Sequence, residues 1–221
     1  MSSVSESLPS VPTKTPADGL PISGPAVLDG PARSMMALLL VRLSLLSGVL
    51  VVALGGLTLL GWSLRVERLK RFGDGTISMN PMTAILLVLA GFSLLLALSK
   101  SLRRQKRVAL SVALATIVMV MGLLKLLSLV AGFDFGLDHV LFSADLSHDY
   151  KIFDNRMAPN TALGFLLSGT SLMLLNMEAR RRQSLAQSIA LGAMMVSLLG
   201  LVGYLYHSVE MFSFGRGVPM A

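Results

Sequence analysis

This chain has no cysteine, a single tryptophan and little charge of either sign, with 12 acidic and 19 basic residues among 221. The missing cysteine removes disulfides, thiolate catalysis and cysteine-ligated metal or iron–sulfur centres together. Charged residues make up 14% of the chain, against roughly a quarter in ordinary globular domains. With 53% hydrophobic residues and a mean hydropathy of +0.72, that scarcity excludes an ordinary soluble domain and points to an integral membrane protein. The net charge of +7 would suggest a nucleic-acid partner in a soluble protein. Here Lys and Arg gather in short segments between apolar runs, which is a topological signal, so the expected partner is the lipid bilayer and not nucleic acid.

Neither a basic patch nor a short apolar stretch with a cleavage site opens the sequence, so the first apolar run is expected to be a retained helix rather than a cleaved leader. Residues 1–34 are instead rich in Ser, Pro and Gly without apolar periodicity, and read as a disordered tail. Residues 35–221 read as one multi-pass module. Five runs are long enough for a hydrocarbon core ~30 Å thick: Leu43 to Trp62, Pro81 to Leu98, Val108 to about Gly132, Pro159 to Met177, and Ser184 to Tyr206. The expected fold is an all-α membrane protein, a bundle of about five transmembrane helices.

The connecting segments alternate in charge. Lys100, Arg103, Arg104, Lys106 and Arg107 sit together without an acid, Arg180, Arg181 and Arg182 follow Glu178, and both groups are expected on the cytoplasmic side. The segment from Phe133 to Arg156 carries Asp134, Asp138, Asp145, Asp149 and Asp154 and is expected outside. Arg65 to Asp74, with four basic and two acidic residues, runs against this alternation. The five-basic segment after it outweighs it, which places the N-terminus in the cytoplasm.

Two of the runs open alike: "MNPMTAILLVLAGFSLLLAL" from Met79 and "MAPNTALGFLLSGTSLMLLN" from Met157, with nine of twenty positions identical. The shared phrase MxPxTA comprises Met79, Pro81, Thr83 and Ala84, then Met157, Pro159, Thr161 and Ala162, with Asn160 inside the second copy. Proline suits a first helical turn, where its missing N–H costs nothing. Asn80 is a good N-cap for the first copy, whereas Ala158 is a poor one for the second and leaves the task to Asn155, Arg156, headgroups or water. Helix-start chemistry and packing therefore account for the phrase more simply than ligand binding by its Thr. Gly91 matches Gly169 and Ser93 matches Ser171, while Gly164, Ser168 and Ser171 form a small-residue stripe expected to let helices approach closely. Each copy follows an apolar helix and a Gly/aromatic-rich segment, and "GYLYHSVEMFSFGRGVPMA" reads as the preamble and first letters of a third copy. The repeating unit is thus a helix pair, in a bundle expected to need further helices.

At "GW...LK...M.P.TA......LAG.SL.L", "G.D.GLD..LF......RMAPNTALGFLL" and "GYLY.....F..G...MA" the chain resembles the N-terminal multi-pass membrane input region that precedes PAS, histidine-kinase and diguanylate-cyclase modules in bacterial signalling proteins. The resemblance runs from about residue 40 to the end. It implies a sensory input module in the bacterial inner membrane, with output domains in a longer parent that forms the homodimer. No phosphoacceptor-His box, ATP-binding Gly box or GGDEF-type loop is written here, so this chain is expected not to be an enzyme.

Individual residues carry weaker signals. Lys125 is the one formal charge well inside an apolar run, and it either snorkels, makes a helix–helix polar contact or forms a site within the bundle. Asp134 or Glu210 would partner it, and Lys125, Asp134 and Asp138 are the candidate signal-coupling residues. His139, His148, His207 and Glu210 are weak candidates for a divalent cation, but no fixed ligand frame joins them, and an acidic loop is explained by topology. Haem between His139 and His207 is conceivable but would sit unusually close to the interface. No cofactor is therefore expected. Tyr204, Tyr206, Phe212, Phe214 and Trp62 read as an interfacial belt, with a small hydrophobic ligand between such rings as the alternative. A small transporter or other polytopic subunit is the competing function, motivated by the repeated pairs and Lys125.

Overall fold

A computed structural model describes residues 31–66, 69, 78–99, 103–131, 157–177 and 180–205. It is 91% helix without strands among these residues. Five helices follow one another: α1 (Pro31–Ser63), α2 (Pro81–Leu98), α3 (Arg104–Ala131), α4 (Pro159–Leu175) and α5 (Arg180–Leu205). All but α4 are long and apolar enough to cross a membrane. Leu43, Leu46 and Leu50 on α1, and Leu191, Met194 and Met195 on α5, are all more than half exposed. Water would not tolerate so much apolar surface, whereas lipid requires it. The chain is a helical membrane protein.

Three of the helices extend past the apolar runs on the sequence. α1 begins at Pro31, and α3 and α5 begin at Arg104 and Arg180, inside the basic segments. Good helix formers such as Arg and Gln continue a helix into the headgroup region at no cost to the apolar span. The interhelical contacts described here belong to Leu38–Ala221, the larger of two units into which the chain divides. The other unit, Met1–Ala37, contributes the start of α1.

Among the described residues α3 packs extensively against α4, α4 against α5 and α2 against α3. α4 is therefore central, which accommodates its 17 residues. At 1.5 Å per residue it spans about 26 Å, short of a ~30 Å core, but protein rather than lipid covers its start, where Met157 and Ala158 are buried. α2 starts as its sequence suggests: Asn80 Oδ1 accepts from Met82 N at 2.7 Å and Pro81 occupies the first turn. Ala158 makes no side-chain cap on α4, and Asn155 and Arg156 lie outside the described residues. At the other end of α2 the guanidinium of Arg107 donates to the carbonyl of Ser99, placing a cation on the free carbonyls of a helix C-terminus.

The helix pair repeats in three dimensions. A Cβ on Gly55 of α1 would lie 2.6 Å from the carbonyl oxygen of Ala84, and one on Gly122 of α3 would lie 2.8 Å from that of Ala162. In the reverse direction, Gly91 of α2 meets Gly48 O and Val52 N, while Gly169 of α4 meets Ala115 O and Met119 N. Every partner in the first set is the sequence counterpart of its partner in the second. Backbones this close exclude any side chain, and in lipid such van der Waals contact is a main source of helix affinity. The same counterparts extend to Ser44 and Ser111, and to Thr58 and Lys125. On α5, Ala193, Val196 and Gly200 occupy the places of Ala115, Val118 and Gly122.

One sequence expectation needs correcting. Gly164 has nothing within 4 Å of where a Cβ would stand, so the stripe Gly164, Ser168 and Ser171 is not a line of close approach. That stripe leads toward α5, reached by a hydrogen bond from Ser171 Oγ to Ala186 O at 2.8 Å. The close face of α4 is the one bearing Ala162 and Gly169, against α3.

Candidate functional site

The two ends of the bundle differ in chemistry. At the basic end, near Arg103, Arg104 and Arg107, a buried hydrogen-bond node joins three helices. Ser93 Oγ donates to Ser111 O at 2.9 Å, Ser111 Oγ lies 2.8 Å from Ser93 O, and Asn176 Nδ2 donates to Ser111 Oγ at 3.0 Å. On sequence Ser93 was only a small residue at an interface. A signal was present in Asn176, a polar residue at the end of an apolar run, but its partners lie far away in the chain. Ser171, the counterpart of Ser93, uses the Ala186 carbonyl because Ile189 stands where a second Ser111 would be.

The motif end holds the starts of α2 and α4. In the first copy it is closed by protein. Trp62 is 1% exposed and its indole Nε1 donates to Met79 O at 3.0 Å. Thr58, fully buried, bonds to Leu54 O at 3.0 Å and contacts Met79 Sδ at 3.7 Å. Thr83 and Thr161, the hydroxyls of the phrase, are half-buried in the first turns of their helices.

In the second copy Met157 keeps the place of Met79, but the groups around it are replaced. Leu129 stands for Trp62, Ala158 for Asn80, Lys125 for Thr58 and Asn160 for Met82. Lys125 is 4% exposed, so it does not snorkel to the surface of the fold, and neither it nor the buried Ser128 is without a polar partner. The stripe that buries them runs along α3 through Gly122, Val118 and Ala115 to Ser111. Beside it, Leu126, Pro159, Asn160, Leu163, Val196 and Leu199 line a cavity of about 170 Å³ between α3, α4 and α5.

The other sequence candidates are not brought into this picture. Asp134, Asp138, His139, His148, His207 and Glu210, with Tyr206, Phe212 and Phe214, lie outside the described residues. Among the described residues no group of His, Asp or Glu could hold a metal ion. No family model matches the chain, and no curated protein or solved structure matches it either.

Proposed function

We propose that this chain is the membrane-embedded sensory input module of a bacterial signalling protein, with its N-terminus in the cytoplasm and its output domains in a longer, dimeric parent. The observation that carries the reading is the single buried stripe of α3, with Lys125 and Ser128 toward the motif end and Ser111 toward the basic end. From Lys125 to Ser111 is about 21 Å along the helix. Between them Gly122 is locked against the α4 backbone, so a change at one end moves α3 as a rigid body against α2 and α4. At the far end the Ser93–Ser111–Asn176 node gives that movement two discrete outcomes, bonded or broken. The basic end would face the cytoplasm and any output domain. The resemblance of the repeated phrases to input regions of sensor kinases and cyclases supports the same reading. In this role the chain transmits a signal and performs no chemistry of its own.

Because the chain has no cysteine, two introduced cysteines can be spin-labelled without background. Labels at Gln105 and Gln183, at the starts of α3 and α5, report the basic end. Substituting Lys125→Thr, which copies Thr58, is expected to shift or split the distance distribution measured by pulsed EPR in nanodiscs. An unchanged distribution for Lys125→Thr and Lys125→Met overturns the sensor reading. The buried lysine also suits a transport site, and solute flux through liposomes carrying the chain would establish that alternative instead.

A further inference from the structure

The cavity between α3, α4 and α5 is more than an imperfection of packing. Its counterpart in the first helix pair lies beside Leu59, Pro81, Met82, Ile85, Val118 and Met121, the residues that correspond one by one to its lining. There Met82 and Met121 pack against the buried cluster that includes Val118. In the second pair Met82 is replaced by Asn160 and Met121 by Leu199, which removes two long, adaptable side chains from the same place. A half-open cavity of about 170 Å³ lies there.

Asn160 is not an ordinary filler. Its residue is 5% exposed, it lines the cavity, and its carboxamide has no hydrogen-bond partner among the described residues. An amide without a protein partner that opens onto such a space is satisfied by water or by a ligand. The remaining lining is aliphatic. Leu199, on the α5 wall, is 45% exposed, so the cavity borders the lipid-facing surface. An apolar cavity of about 150 Å³ admits benzene, which sets the scale of the occupant.

We propose that this cavity is a binding site for a small, uncharged, lipid-soluble alcohol or phenol, whose hydroxyl pairs with the Asn160 amide. A hydroxyl fits because it donates to Oδ1 and accepts from Nδ2, meeting both halves of the amide with one atom. No charged side chain lines the cavity to attract an ion. The ligand enters from the bilayer, where such molecules concentrate. The proposal does not depend on the signalling role, because binding is measured on this chain alone.

The test uses 4-fluorophenol as probe, followed by fluorine NMR with the full chain in nanodiscs, and empty nanodiscs as the partition control. Saturable binding above the lipid background is expected for the native chain. Asn160→Met restores the residue of the first copy, fills the cavity and is expected to abolish saturable binding. Asn160→Leu keeps the apolar walls and removes the amide, and is expected to weaken binding about tenfold, as is replacing the probe by fluorobenzene. Leu199→Phe fills the cavity from its exposed wall and serves if the Asn160 variants fail to fold. Equal signals from the native chain and Leu199→Phe would mean partition into lipid only, and would overturn the site. Fluorobenzene binding as tightly as fluorophenol would mean that water satisfies the amide, and would overturn the assigned ligand class.

Discussion

The motif ends of the two helix pairs share one backbone frame and almost no side-chain chemistry. In the first, Trp62 is pinned to Met79, Asn80 caps α2 and Met82 fills the interior. In the second, Leu129, Ala158 and Asn160 take those places, and Lys125 is buried where Thr58 sits in the first. The frame is held by close approaches to backbone at equivalent places: Gly55 on Ala84 O, and Gly122 on Ala162 O. Contacts of that kind leave the flanking side chains free to change. One pair can therefore serve as a closed structural unit while the other keeps a buried lysine, an amide without a protein partner and a cavity.

The comparison can be broken most severely at Trp62. Trp62→Ala removes a fully buried ring and its hydrogen bond, and is expected to destabilise the bundle by about 4 kcal/mol in a denaturant titration in detergent. Leu129→Ala, at the half-buried counterpart, should cost less than half as much. Equal losses would show that the first pair is not closed by its tryptophan.

The shared frame is tested at its glycines. Gly55→Ala and Gly122→Ala each force a Cβ to within 3 Å of backbone, and each should cost about 2 kcal/mol by the same titration. Gly164→Ala meets nothing and should be neutral or stabilising by about 0.5 kcal/mol through helix propensity. A large loss at Gly164 together with tolerance at Gly122 would reverse the assignment of the close face.

The smallest effect sharpens the difference between the two helix starts. Ala158→Asn copies Asn80 into the second pair and should stabilise α4 by about 0.5 kcal/mol, read as slower amide exchange in its first turn. Unchanged exchange would mean that the start of α4 is already satisfied.

Much of this architecture is legible in the residues. The apolar runs mark five helices, and Pro81 with Asn80 marks the start of α2, because proline and a capping side chain act locally. MxPxTA and the apolar helix before each copy expose the repeated pair, but not the register of α1 on α3; their shared pattern of Ser44, Gly48, Gly55 and Thr58 is sparse and has changed to Ser111, Ala115, Gly122 and Lys125. The stripe at Gly164 looked as good as the face at Gly169, since composition does not say which side of a helix meets a neighbour. The node at Ser93 and Asn160's place beside the cavity were equally hidden. Asn160 stood in the motif as a variable letter, and only the loss of Met82's bulk at the same position could have marked it.

By itself the sequence determined that this is a helical membrane protein with a repeated pair, because lipid satisfies no backbone group and local rules place each helix end. Tertiary structure alone decided which glycines touch, that Lys125 is buried within the fold and that Asn160 lines a cavity. Those outcomes depend on how helices pack against one another, and in an apolar solvent packing is set by shape between distant segments rather than by the hydrophobicity of any one of them.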